Sequence, residues 1–317
     1  MSRSGVLVIG SVAVDVTAFA DRLPRPGETV LGNDVTMVLG GKGANQAVAA
    51  AHFGAPTWMV GCVGDDPLAD IAAGSLAEHG VRTDWLRRVA GPTGVAHIRV
   101  DRSGQNDIVI APLANAHLDK TLVDDAIGAL GDQAAVLLLQ LEVPAEITSY
   151  AAAAGRRAGL QVVLDPAPAA QLPDDVWADV DVVTPNESEA TTITGIEVTD
   201  VESAGRAAEW FLERGAGRAI ITLGGQGGVT VDATGSAAFA AVPVDVVDTT
   251  AAGDAFTGTF GAAVALGETT SGAIAFAMAA GALTVTRAGA SPSLPSRAEV
   301  TALAGGAGTA TRGTFVG

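Results

Sequence analysis

The 317-residue chain carries 18 Lys and Arg against 35 Asp and Glu, a net charge of −17, which argues against a nucleic-acid or anionic-membrane surface. With 48% hydrophobic residues, only 4% aromatics and 40 glycines, the expected core rests on Ala, Val, Leu and Ile in one large domain with a minor appendage. The single cysteine, Cys62, cannot close an intrachain disulfide, and no apolar run approaches the roughly 20 residues of a membrane span. The apolar stretch at 6–10 is too short and too early for a signal peptide, so a soluble cytoplasmic protein without nucleic-acid or membrane partners is expected.

In chain order, β-branched or Leu-rich runs predict strands at 6–9, 57–60, 135–139, 161–165, 180–184 and 218–223. Ala-rich segments of helical period predict helices such as 44–53, 67–79, 145–158, 187–194 and 201–214. The alternation predicts an α/β fold, a doubly wound, mostly parallel central sheet with helices on both faces. Two segments break it: 12–40, punctuated by Pro24, Pro26-Gly27 and Gly32-Asn33-Asp34, and 95–111 around Arg102-Ser103-Gly104. They are expected to pair into a small β-sheet lid over a body made of 1–11, 41–94 and 112–304. The Gly-, Ala- and Thr-rich tail at 305–317 is expected to be disordered.

Several motifs sit at the joints of these elements, each with a plain structural alternative. Asp15, after the first strand, reads as an acid at a strand's C-terminal end facing the ligand crevice, or as a turn residue; Glu142, after 135–139, follows the same logic. Gly40-Gly41-Lys42-Gly43-Ala44-Asn45-Gln46 opens a helix and brings backbone amides, Lys42 and Asn45 together; its spacing is not that of a Walker A loop, and a loop-to-helix joint also explains it. Lys42 is one of only two lysines in the chain.

Thr184-Pro185-Asn186-Glu187-Ser188-Glu189 is a complete capping box; alternatively Asn186 meets phosphate oxygens and Glu189 a hydrated Mg²⁺. Thr222 to Gly228 holds four glycines in five positions, a hairpin or a surface for a nucleotide. Four scattered histidines lack ligand spacing. Finally, Asp248-Thr249-Thr250-Ala251-Ala252-Gly253-Asp254-Ala255-Phe256 puts small residues at a helix mouth, suited to an anion. Asp254 there suits a base that deprotonates a hydroxyl attacking a phosphoryl group.

Taken together, in order and spacing, 40–46, 184–189, 222–228 and 248–256 resemble the PfkB-type (ribokinase-like) carbohydrate kinase family. The similarity runs from about 5 to 303 and includes Pro26-Gly27-Glu28-Thr29, Pro166-Ala167-Pro168-Ala169 and Val285-Thr286-Arg287. The resemblance implies an ATP-dependent phosphotransferase acting on a pentose's primary hydroxyl, with D-ribose to ribose 5-phosphate foremost. It implies Asp254 as base and the amides of Ala251, Ala252 and Gly253 as anion hole. It implies sugar contacts from Asp15, Gly41, Lys42, Asn45 and Glu142, and nucleotide contacts from Asn186, Thr222, Gly224 and Gly227. Glu189 would support Mg²⁺ through water. Asp248, Thr250, Thr284, Arg287, Gly289 and Ser293 would surround a monovalent cation, usually K⁺, several through backbone carbonyls. A homodimer through the lid is implied as well.

One position departs from the pattern: Ala13 stands where ribose kinases of this type carry a sugar-binding asparagine. Another sugar, deoxyribose or a nucleoside therefore stays open as acceptor. A non-catalytic sugar sensor is a further alternative, against which the presence of Asp254, Gly253, Lys42 and Glu189 speaks.

Overall fold

The computed structural model describes residues 3–306. Its first half runs β1 (Gly5–Ile9), β2 (Ala13–Ala20), β3 (Gly32–Gly40), α1 (Lys42–Phe53), β4 (Thr57–Val63), α2 (Pro67–Glu78), β5 (Arg82–Arg88), β6 (Gly94–Val100), β7 (Asn106–Ala111), α3 (Lys120–Leu130) and β8 (Ala134–Leu139). The second half continues through α4 (Ala145–Arg157), β9 (Gln161–Leu164), β10 (Val182–Val183), α5 (Glu187–Thr194), α6 (Val201–Glu213) and β11 (Arg218–Thr222). It ends with β12 (Gly228–Asp232), β13 (Gly235–Phe239), α7 (Ala252–Ala265), α8 (Thr270–Thr284) and α9 (Arg297–Gly306).

Nine strands form one sheet, ordered β13-β12-β11-β10-β9-β8-β1-β4-β5, parallel except where β11, β12 and β13 turn back on one another. Side chains alternate across the strands and so sort the core into two halves. Leu7 and Ile9 of β1 and Leu137 and Leu139 of β8 join α3, α4, α5 and α6 on one face. Val6, Val8, Val136 and Leu138 join α1, α2, α7, α8 and α9 on the other. This is the predicted doubly wound arrangement. No helix among the described residues is long and apolar enough to cross a membrane.

The interrupting segments form a separate four-stranded sheet, β3-β2-β6-β7, in which β2 and β6 run parallel and both outer strands antiparallel. In register, Met37, Val16, His97 and Val109 share one row and hence one face, and Val35 lies on that face two residues along β3. Met37, Val109 and Val35 are each more than half exposed. Asp15 points to the opposite face, toward the body.

Several expectations need correction. Asp15 does not end a body strand: β1 stops at Ile9, and Asp15 is the third residue of β2 in the smaller sheet. The strand predicted at 180–184 shrinks to Val182–Val183. Strands β5 and β13 were not foreseen, because the edge sequences RTDWLRR and GSAAF lack an apolar run. Residues 305–306 extend α9 instead of starting a tail; 307–317, the rest of the expected disordered segment, lie outside the described residues.

Candidate active site

Helix α1 begins at Lys42 because Gly41 adopts φ 89°, a left-handed conformation open to glycine at little cost. A Cβ there would also stand 2.9 Å from the Ala13 backbone nitrogen. The turn aims Lys42, Asn45 and Gln46 at the first turn of α7, which carries Asp254. Asp254 is buried, 4% exposed, and both its oxygens accept hydrogen bonds, from Asn45 Nδ2 at 3.0 Å and Gln46 Nε2 at 3.2 Å. Lys42 Nζ lies 4.0 Å from Asp254 Oδ1 and 4.0 Å from Asp165 Oδ2.

Around this pair the chain gathers acids. Glu142 Oε2 accepts from Ser11 Oγ at 2.7 Å and from the Lys42 backbone N–H at 2.9 Å. Asp15 reaches over from the smaller sheet; burial, then the charges of Glu142 and Asp254, push its carboxyl up to about 7. A side chain at Gly40 would overlap that carboxylate. Burial drives the Asp165 carboxyl well above the usual range although Lys42 opposes it. For Lys42 itself burial favours the neutral form, but Asp254, Asp165, Glu142 and Glu189 outweigh it and hold the ammonium above its ordinary value. Its side chain keeps 26% of its surface accessible. Asn45 Oδ1 is buried with no partner among the described residues, an acceptor left for a hydroxyl donor.

Two cavities meet at α7. The smaller, about 190 Å³, is lined by Lys42, Asp165, Asn186, Glu189 and residues 251–254. The larger, about 650 Å³, is lined by Gly224 to Gly227, residues 240–244, Val246, Met278 and Val285. Both touch Thr222, Thr249, Ala252, Gly253 and Phe256. The capping box at α5 is real: Asn186 Oδ1 accepts from the Glu189 N–H, and Glu189 Oε2 from the Asn186 N–H, each at 2.9 Å. It leaves the second Glu189 oxygen for the cavity, and burial raises that carboxyl. Asn186 pairs with Thr222 across a parallel bridge, which joins two of the expected nucleotide residues. Gly227, at φ 91°, closes the hairpin so tightly that a side chain would overlap Phe239 O.

Helix α7 opens on Ala251 at φ 60° and ψ 10° with no side-chain cap. First-turn N–H groups are then free for an anion. Of the three expected anion-hole amides, that of Ala252 bends back to Thr249 O at 3.3 Å; those of Ala251 and Gly253 have no partner among the described residues. Asp248 ties the preceding loop together: Oδ1 accepts from the Thr250 N–H at 2.9 Å and Oγ1 at 2.6 Å, Oδ2 from the Gly289 N–H at 2.9 Å. Burial works against the ionised form, but these bonds hold the Asp248 carboxyl below its usual range. The side chains of Thr284, Ser293 and Arg287 are directed elsewhere, to Ala280 O, Ala290 O and Glu299. Any cation contact from those three is left to their backbone carbonyls. Among the described residues no cluster of three His, Cys, Asp or Glu forms a metal cage; His52 and His79 meet edge-on, with Nε2 of one 2.9 Å from Nδ1 of the other.

Sequence reasoning missed the buried network under the base. Gln46 Nε2 also donates to Asp165 Oδ2 at 2.8 Å, and Gln46 Oε1 accepts from Gln140 Nε2 at 2.6 Å. The strand-end argument that singled out Glu142 applies equally to Asp165, one residue beyond β9.

Residues 3–297 match the pfkB family carbohydrate kinase pattern. The chain is 40% identical over 299 residues to a ribokinase of Haemophilus influenzae, covering 94% of this chain and 97% of that protein. It is 35% identical over 257 residues to a deoxyribokinase of Salmonella typhi, covering 80% and 84%. The fold is similar to that of an Arabidopsis thaliana ribokinase solved with ribose and ATP, at a TM-score of 0.87, 32% identity and coverage of 95% and 99%. Matched over nearly its whole length, with its glycine loops and its two sheets in this arrangement, the chain belongs to the pfkB family of carbohydrate kinases, phosphotransferases whose acceptor is a hydroxyl group.

Proposed function

We propose that the protein transfers the γ-phosphoryl group of ATP to the primary hydroxyl of a pentose, converting D-ribose to ribose 5-phosphate. One observation carries this reading: Asp254 joins the polar cluster of Asp15, Glu142 and Asn45 to the cavity edged by the free amides of α7. Asp15 and Glu142 accept hydrogen bonds from sugar hydroxyls, and the orphaned Asn45 Oδ1 accepts another, with Gly41 and Lys42 beside them. Asp254, fixed by Asn45 and Gln46, takes the proton of the hydroxyl as it attacks in line. The Ala251 and Gly253 amides, the positive end of α7 and Lys42 stabilise the charge that develops. Asn186, Thr222, Gly224 and Gly227 line the path of the nucleotide toward the larger, apolar cavity.

Mg²⁺ keeps its waters and favours phosphate oxygens, which fits the single free oxygen of Glu189 and the lack of a protein cage; when bound it neutralises phosphate charge. A monovalent cation, K⁺ in this reading, fits the loop that Asp248 holds against Gly289, and Thr250, Thr284, Arg287 and Ser293 are the further residues that would contact it. The four-stranded sheet serves as lid, and its apolar face around Met37 and Val109 suits a homodimer in the cytoplasm.

Replacing Asp254 with Asn is expected to lower kcat about 10²- to 10⁴-fold with the fold intact by circular dichroism; near-normal turnover sinks the assignment. Ala13 and the deoxyribokinase relative favour one second reading, a 2-deoxypentose acceptor. Comparing kcat/KM for ribose, 2-deoxyribose, fructose and purine nucleosides, each by ADP release, separates the two. Tight ribose binding without phosphotransfer would instead revive the sensor alternative.

A further inference from the structure

The chain crosses between the two sheets four times, near 11–12, 40–41, 93–94 and 111–112. Three of these crossings converge on one side chain, Asn115. Val12 lies between β1 and β2, belongs to neither strand and is fully buried, so its N–H needs a partner from elsewhere. Asn115 Oδ1 accepts that N–H at 2.9 Å, and Asn115 Nδ2 donates to Val12 O at 2.9 Å. A side-chain amide offers a donor and an acceptor together, so it pairs with a peptide group as another strand would. The third crossing leans on the same amide: a side chain at Gly94 would overlap Asn115 Nδ2 and stand 2.9 Å from Val12 O.

Asn115 is itself 3% exposed and rides on a strained turn. Leu113, just after β7, takes φ 47°, and only Ala251 shares a positive φ among the described non-glycine residues. Such strain persists only where the surroundings enforce it. Beside it, Thr93 Oγ1 donates to Asp66 Oδ1 at 2.6 Å and accepts from the Gly64 N–H at 3.0 Å, fixing the body side of the third crossing. The remaining crossing, at 40–41, is held apart from these, by Ser291 Oγ on Leu39 O at 2.9 Å.

We propose that Asn115 is the pin of the lid: a positioning residue that fixes where the four-stranded sheet leaves the body and, through Val12, where Asp15 stands over Asp254. This rests on the sugar-kinase reading of Asp15. Asp15 lies three residues beyond Val12, so a loosened Val12 lets the root of β2 wander. The lining of the larger cavity includes no residue of the three crossings. The loss should therefore fall on the sugar and spare ATP.

The test is steady-state kinetics of the full chain with D-ribose, ATP and Mg²⁺. Asn115→Ala is expected to raise the KM for ribose about tenfold, the scale on which sub-ångström misplacement acts, while the KM for ATP stays within about twofold. Asn115→Ser, which keeps one hydrogen-bonding group, should show the same split in smaller degree and covers the case in which the alanine variant does not fold. Equal rises in both KM values, or an unchanged ribose KM, overturn the proposal. Asp15→Ala is the control: if it leaves the ribose KM unchanged, the sugar-kinase reading of Asp15 has failed; if it raises that KM while the Asn115 variants do not, only the pin has failed. Hydrogen exchange on the unaltered protein gives an independent readout. The Val12 amide should exchange as slowly as those of β1 with or without ribose, whereas β2 amides beyond Asp15 slow when ribose is added. A Val12 amide that follows β2 overturns the pin.

Discussion

The two ends of the cleft are built from opposite materials. One end gathers Asp15, Glu142, Asp165 and Asp254, with Glu189 at its border, around one lysine, whereas the larger cavity, the proposed nucleotide end, is lined by glycine backbone, Val244, Val246, Met278 and Val285, without an ionisable side chain. In the proposed reading a chain of net charge −17 receives a polyanion with Lys42 as its one basic side chain at the site. Phosphates would meet helix-start amides, and carboxylates would be kept for hydroxyls, which they suit as acceptors. The division predicts that substitutions at one end move sugar handling and turnover, and at the other only nucleotide affinity.

The strongest way to break that division is Lys42→Met. It removes the single cation facing four carboxylates, and kcat is expected to fall about 10²- to 10³-fold, with a lower melting temperature as the acids repel one another. A loss confined to the ATP KM would contradict the division. Next in size is Gly227→Ala at the other end. Its left-handed backbone and the lack of room against Phe239 O should distort the hairpin and raise the ATP KM about tenfold, leaving the ribose KM unmoved. The smallest effect sharpens the division through pH. Burial, then the charges of Glu142 and Asp254, push the Asp15 carboxyl up to about 7. Above that value it is ionised and, in the proposed reading, would accept from two hydroxyls; below it the carboxyl is protonated and would surrender an acceptor. The ribose KM should therefore rise about fivefold as pH falls from about 8 to about 6, and the ATP KM should not follow. Asp15→Asn should flatten this profile; a variant that keeps the wild-type profile assigns the titration to another group.

Legibility in the sequence followed the range of the interactions. The parallel body was readable because apolar runs and Ala-rich helices alternate locally, and the capping box of Asn186 and Glu189 because its partners are three residues apart. Asp15 was read as an acid at the end of the first strand, although 12–40 as a whole was expected in the lid, because only three residues separate β1 from β2, too few to mark by composition where one strand stops and the next begins. Edge strands β5 and β13 escaped because polar or small residues serve well where one side of a strand is unpaired. The Gln46 bridge between Asp165 and Asp254 was invisible because its partners lie 119 and 208 residues away. No local pattern encodes such a meeting. The same holds for Asn115 and Val12, 103 residues apart.

The hydrogen bond from Asn45 to Asp254 spans 209 residues, and this has a consequence for how the protein comes into being. Asp15 to Asn45, the proposed sugar contacts, emerge early in synthesis, while Asp254, the proposed base, arrives only with α7, after the parallel strands have been made. On that reading a chain that stops before α7 would hold neither a competent base nor the amides that steady the phosphate, and would not hydrolyse ATP idly. Contacts of this length form late in folding. Return of turnover in a refolding experiment would accordingly time the closing of α1 onto α7, the final event, and not the collapse that precedes it.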